Sequence, residues 1–226
     1  MTTDNDANTA EPDASADEAA APDAPTVAAA APVRKRPKPG ERRVQILQTL
    51  ASMLELPGAD RITTAALAGK LEVSEAALYR HFASKAQMFE GLIEFIETSV
   101  FTLVNQIHER ETQPIVQVQK MLTVLLQFAE KNPGMARVMV GDALVFENER
   151  LLTRMNQFFE RFESQLRQSL RGRAEDAGSA TPTVDANAQA SVLTAFAVGR
   201  LQRFARSGFK RSPVEHLDAA LRMLAS

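Results

Sequence analysis

The chain has 226 residues, no cysteine and a formal net charge of −2. Without cysteine there is no disulfide, thiolate metal site or cysteine nucleophile, and the length allows one sizeable domain or two small ones with a real core. No apolar run reaches the roughly 18 residues that span a bilayer, and the acidic start lacks the apolar segment of a secretion signal, so a cytoplasmic protein without a membrane anchor is expected.

Residues 1–40 are rich in Ala, Pro, Asp and Thr, with few large apolar side chains. They cannot bury enough surface to offset ordering entropy and are expected to be disordered. The first 33 residues hold seven acids (Asp4, Asp6, Glu11, Asp13, Asp17, Glu18, Asp23) and no Lys or Arg. Setting those seven charges aside from the net −2 leaves +5 on residues 34–226. Arg34, Lys35, Arg36, Lys38, Arg42 and Arg43 form a basic run just before the first helix. Such a run is either a phosphate-neutralising arm or a solvated linker.

Helical spacing starts near Gly40. Val44, Leu47, Leu50, Ala51 and Leu54 predict a first helix, stopped by Pro57-Gly58. Two short helices follow. Thr63 caps the first and Ser74 the second. Leu67, Ala68 and Leu71 face one way, and Leu78 and Phe82, four apart, share a face. Glu75, Ala76, Ala77, Tyr79, Arg80 and His81 are left on the other faces. Alanines allow close approach of a helix to a major groove, and the polar groups beside them reach phosphates or base edges. A helical hairpin with no nucleic-acid role has the same pattern.

Ser84 then caps a fourth helix to about Arg110, with Phe89, Leu92, Ile93, Ile96, Val100, Leu103 and Ile107 as its apolar stripe. Pro114 fits a first helical turn, and Val116 to Lys131 continue as a very apolar fifth helix. Asn132-Pro133 predicts an N-cap and first position for a short helix to about Leu144. Glu147 to Arg173 is amphipathic through Leu151, Met155, Phe158, Phe159, Phe162, Leu166 and Leu170. A loop is expected over 172–182, a helix over 184–207, and a last helix from Pro213 to Leu224. No segment alternates with period two. The fold class is therefore all-α: a three-helix unit over 41–86, the candidate DNA-binding domain, and a helical bundle over 87–226. The helix over 184–207 is apolar on more than one face through Ala190, Leu193, Ala195, Phe196, Ala197, Val198 and Leu201, which implies burial on more than one side. Either two copies pair through it, or it is the central helix of a monomer.

The stretch Thr63-Thr64-Ala65-Ala66-Leu67-Ala68 through Tyr79-Arg80-His81-Phe82-x-Ser84-Lys85 resembles the helix-turn-helix of TetR-type DNA-binding proteins. It departs at Glu72, where the family usually has glycine. A positive φ there costs about 1 kcal/mol relative to glycine. Within that family the chain is similar to the SlmA-type nucleoid occlusion factors. Val73-Ser74-Glu75-Ala76-Ala77-Leu78, Leu92-Ile93-Glu94-Phe95-Ile96-Glu97, Asn132-Pro133-Gly134 and Ala143-Leu144-x-Phe146-Glu147 carry that likeness.

The resemblance implies a homodimer, or paired dimers, on palindromic double-stranded DNA, with two recognition helices about one DNA turn apart. The contacting set it implies is Arg42, Arg43, Thr63, Thr64, Ser74, Glu75, Ala76, Ala77, Tyr79, Arg80, His81 and Lys85. It further implies that the DNA-bound form engages the C-terminal tail of the division protein FtsZ in a groove between the fourth and fifth helices. Phe95, Val124, Gln127, Lys131 and Asn132 are the groove residues implied. Phe95 lies about 100° round the helix from Ile96, so it flanks the core stripe. It is either a partner anchor or an ordinary packed phenylalanine. Lys131 also suits a helix C-terminus, and Asn132 a cap.

No cofactor, metal or enzymatic site is expected. His81, His108 and His216 are far apart, and no phosphate loop or nucleophile elbow occurs. Asp142 and Glu147 read as surface charges. The second reading is a TetR-type repressor released by a small lipophilic ligand. A cavity of several hundred Å³ at Met121, Leu122, Val124, Leu125, Leu126 and Phe128 would favour it; a filled core would favour the division factor.

Overall fold

The computed structural model describes residues 40–56 and 61–224, all within one packed unit, Pro37–Ser226. The expected tail up to residue 39, with Arg34, Lys35, Arg36 and Lys38, and the Pro57-Gly58 stop lie outside the described residues. Among the described residues the regular elements are all helical.

Helix α1 is Glu41–Leu54. Its core row is Ile46, Leu50 and Leu54, at most 1% exposed. This corrects the expected stripe: Val44 is exposed, and Leu47 and Ala51 are half-buried. Four-residue steps of large aliphatics face the core, while Val44, Leu47 and Ala51 form a second apolar row beside it.

Helices α2 (Thr64–Lys70) and α3 (Glu75–Tyr79) follow. Leu67, Ala68, Leu71, Leu78 and Phe82 are buried as predicted. Glu72 does take a positive φ of 54°. Val73 N–H donates to Ala68 O at 3.0 Å and Glu72 N–H to Gly69 O at 3.1 Å, the bond pair that closes a helix through a left-handed residue. α3 is shorter than the pattern suggested. Arg80, His81 and Phe82 belong to a turn held by His81 N–H and Phe82 N–H on Leu78 O.

Helix α4 is Lys85–Arg110. Its buried row runs Phe89, Leu92, Ile93, Ile96, Val100, Val104, with Met88 and Phe101 beside it. Leu103, expected inside, is 42% exposed, because the row steps four residues from Val100 to Val104 and carries 103 outward.

Helix α5 is Pro114–Lys131, with proline in its first turn. Helix α6 is only Pro133–Met139. Gly141, at φ 84°, stops it, and a single 3-10 turn, Asp142–Leu144, completes the stretch read as one helix. Asn132 does not cap α6 with its side chain. Its Nδ2 instead donates to Phe128 O at 2.7 Å, satisfying an end carbonyl of α5.

Helix α7 is Glu149–Asp176, past the expected loop start; α8 is Pro182–Arg206 and α9 Leu217–Leu224. α7 and α8 pack along one another, and Leu151, Phe158, Phe162 and Leu166 of α7 and Leu193, Ala197 and Leu201 of α8 are each at most 2% exposed. α6 packs on α1 closely enough that a Cβ on Gly134 would lie 2.2 Å from Ala51 O. Glycine is required there by backbone approach.

Candidate nucleic-acid interface

The end of the molecule formed by α2 and α3 is built from local bonds. Thr63 Oγ1 accepts from Ala66 N–H at 3.1 Å, and Ser74 Oγ accepts from Ala77 N–H at 3.3 Å. Each satisfies an orphan donor of a first turn. Thr64 Oγ1 donates to Glu75 Oε2 at 2.5 Å, tying the two helices together. Thr63, Ser74, Glu75, Ala76, Tyr79, Arg80 and His81 are exposed, while Thr64 and Ala77 are half-buried. Tyr79 is 45% exposed, about 100° round the helix from the buried Leu78.

The cations expected beside this surface have partners within the chain. Arg43 donates through Nη1 to His81 O at 2.9 Å and lies 4.1 Å over the Phe82 ring. It fastens α1 to the turn that follows α3. Arg42 donates to Gln45 Oε1 at 2.8 Å. Lys85 is ion-paired with Glu147 and sits 5.6 Å from the Phe89 ring. Glu147 is correspondingly not the surface residue that its charge suggested; its side chain is 9% exposed. Arg43, Arg61, Lys70 and Arg80 are the exposed cations on this end among the described residues.

The second candidate site is an apolar cleft of about 390 Å³. Val44, Leu47 and Ala51 of α1 form one wall, Leu92 and Phe95 of α4 another, and Asn132 and Met135 close it. Phe95 is 49% exposed, with its ring centroid 5.8 Å from that of Phe128. Phe95 and Asn132 are therefore brought together, but in a cleft of α1, α4 and the start of α6 rather than between α4 and α5. Val124, Gln127 and Lys131 do not line the cleft. Val124 is half-buried, Gln127 and Lys131 are exposed, and their spacing places them along one flank of α5 beside Phe128. Sequence reasoning missed the α1 wall. Its signal was a helix with two apolar rows, one more than the core uses.

A third cleft, about 520 Å³, lies on the outer side of α7 and α8 between Leu152, Phe159 and Val198. Thr194 Oγ1 and Arg167 Nε border it, buried and without a hydrogen-bond partner among the described residues. Val192, outside it on α8, is 54% exposed. Met121, Leu122, Leu125 and Leu126 of α5 are 0% exposed and line none of these clefts. Among the described residues no group of His, Asp or Glu has metal-binding geometry, and no helix is long and apolar enough to cross a membrane.

Residues 46–92 match the family model described as bacterial regulatory proteins, tetR family, and residues 112–226 match one described as tetracyclin repressor-like, C-terminal domain, of the SlmA-like type. The chain is 51% identical over 191 residues to a protein of Aliivibrio fischeri named nucleoid occlusion factor SlmA, covering 84% of this chain and 97% of that one. A protein of the same name from Vibrio cholerae is 51% identical over 186 residues, covering 82% and 94%. Among solved structures, the TetR-family regulator PfmR of Thermus thermophilus aligns with a TM-score of 0.65 at 20% identity, over 80% of this chain and 97% of that one. AibR, solved with isovaleryl coenzyme A and operator DNA, aligns with a TM-score of 0.62 at 15% identity, over 80% and 97%. At that identity the structural likeness speaks for the fold alone.

Proposed function

Because the chain belongs to the TetR family and, within it, to the SlmA-type nucleoid occlusion factors, we propose that it binds palindromic DNA as a homodimer and, when DNA-bound, engages the FtsZ tail and opposes division-ring assembly over the chromosome. The observation that carries this is the 51% identity to a nucleoid occlusion factor over 97% of that protein's length, which takes in both the head, α1 to α3, and the body, α4 to α9. In this reading α3 enters the major groove. Ala76 lets the backbone approach, Tyr79, Arg80 and His81 reach phosphates or base edges, and the N-terminal ends of α2 and α3 face the duplex with Thr63 and Ser74. Arg43 and Lys85 act indirectly, by holding the head together and to the body. The outer side of α7 and α8 meets a second copy. This accounts for an exposed apolar row and for the unpartnered Thr194 hydroxyl and Arg167 nitrogen.

The peptide cleft is the one lined by Phe95, with Lys131 and Gln127 at its flank. It is apolar and open on one side, as an extended or helical peptide segment requires. The ligand-released repressor is the weaker reading: the fully buried α5 side chains, none of which lines a cleft described above, support a filled core. The test has two parts. Selection from a random duplex pool should yield a palindrome bound by an even number of chains. FtsZ light scattering should then fall more with protein plus that duplex than with protein alone. A palindrome with no effect on FtsZ would favour the repressor.

A further inference from the structure

The recognition segment ends at Phe82, and the chain enters the body through the first turns of α4. Those turns are strapped to α7 by a ladder of charge. Lys85, the first residue of α4, pairs with Glu147, just before α7. Farther along, Arg150 Nη2 lies 2.9 Å from Glu90 Oε1. Arg154 then grips Glu97 with both ends of its fork, Nε to Oε1 at 3.1 Å and Nη2 to Oε2 at 2.5 Å. The register continues into the core, where Phe101 meets Phe158 at 5.3 Å and Arg161 lies 3.9 Å over the Phe101 ring. Numbers rise together on both helices, so each rung fixes the same relative sliding of α4 against α7. The Arg154 guanidinium is held above its ordinary value first by its bond to Glu97, with Glu94 and Glu90 adding to it.

These rungs are poor devices for stability. Their side chains are 9% to 56% exposed, and partly exposed pairs are each worth about 1 kcal/mol or less. A forked arginine–carboxylate pair fixes geometry better than an aliphatic contact does.

We propose that the Lys85–Glu147, Glu90–Arg150 and Glu97–Arg154 ladder is a spacing gauge: it sets the angle of α4 on α7 and so selects the half-site separation of the DNA that the dimer accepts. The inference rests on the dimer-on-palindrome reading above, because α7 is both the ladder's anchor and part of the surface given to the second copy. The lever is long enough to matter. From Lys85 to Glu97 α4 rises about 18 Å, and a swing of about 10° moves its end by about 3 Å, close to one base-pair step. A head free to swing would accept several spacings; a strapped head accepts one. Lys85, Glu90, Glu97, Glu147, Arg150 and Arg154 are thus positioning residues that contact no base.

The test uses the full chain and the palindrome selected by the wild type. Duplexes with the half-sites moved apart or together by one and two base pairs, and a duplex with one half-site, are titrated at fixed salt. The wild type should lose about 10- to 100-fold per base pair of altered spacing, a cost like that of a mismatched pair. Arg150→Glu/Arg154→Glu reverses two rungs. It should flatten that profile to within about threefold and leave the single half-site affinity unchanged. The charge-swapped variant Glu90→Arg/Glu97→Arg/Arg150→Glu/Arg154→Glu should restore the steep profile, which a general loss of stability would not permit. Arg154→Gln, the mildest change, keeps the test alive if the reversed variant fails to fold, and it should flatten the profile part way. A steep profile retained by Arg154→Gln and by the reversed variant would overturn the gauge while leaving the dimer reading intact. A wild type that binds no palindrome would overturn the dimer reading and the gauge with it.

Discussion

The α2–α3 end and the Phe95 cleft are made in opposite ways. The first is assembled from neighbours in sequence: Thr63 with Ala66, Ser74 with Ala77, Ser84 with Gln87, Thr64 with Glu75. The second takes its walls from α1, α4 and the start of α6, with Ala51 and Met135 facing across more than eighty residues of chain. Local bonds make a surface whose pieces fail one at a time. A cleft between distant helices depends on how they seat, here with Gly134 against Ala51 O and Arg137 Nη1 donating to Leu54 O at 3.4 Å. Damage to the first should therefore be graded and confined to DNA, and damage to the second abrupt and shared.

The sharpest way to break that contrast is at the α1–α6 seat. Gly134→Val forces side-chain atoms into the Ala51 carbonyl and should destabilise the fold by about 1–3 kcal/mol, the range for overpacking a tight site. It should lower the thermal midpoint and weaken peptide binding and DNA binding together. Loss of the peptide alone would mean that the head does not depend on the α1–α6 seat. Next in size is Phe95→Ala, which removes the exposed anchor without touching that seat. Tail-peptide affinity should fall by roughly 2 kcal/mol or more, as for a hot-spot aromatic, while a gel-shift midpoint on specific DNA stays in place.

Tyr79→Ala and Thr63→Ala probe the other side. Each should weaken specific DNA by about 1–2 kcal/mol, the second through a lost cap as well as a lost contact, with peptide binding unchanged. An unmoved anisotropy titration for Tyr79→Ala would show that α3 is not the reading element. The smallest effect is expected from deleting residues 1–33. The melting temperature should stay within about a degree, because so few apolar side chains are removed. DNA affinity should hold or rise with seven carboxylates gone.

The contrast also explains what the sequence made legible. Caps, apolar rows and turn chemistry are local, so Thr63, Ser74 and Ser84 and the buried Leu67, Leu78 and Phe82 were readable. So was the strain at Glu72, from its place in the turn. Where a boundary depends on what packs next door, reading failed. Val44 looked like core because its spacing to Leu47 and Leu54 is helical, yet the core row is the one through Ile46. Leu103 failed for the same reason. Lys85 and Arg43 were read as phosphate contacts from their place beside α3, and the contacts they make within the chain were not legible with it. Their partners, Glu147 and the His81 carbonyl, lie 62 and 38 residues away, and no local pattern announces a pair across such distances. Phe95 and Asn132 were placed at one site by resemblance, while the α1 wall of that site had no signal beyond a surplus apolar row.

The central claim is that one chain reads DNA at α3 and holds an FtsZ tail peptide at Phe95, with the first event favouring the second. Fluorescence polarisation of a labelled FtsZ tail peptide, titrated with the full chain in the presence and absence of the selected palindrome, tests this directly. The account predicts saturable binding that tightens on adding the palindrome, does not tighten on adding scrambled duplex, and is lost with Phe95→Ala. Absence of saturable binding under both conditions, or equal binding by Phe95→Ala, would contradict it.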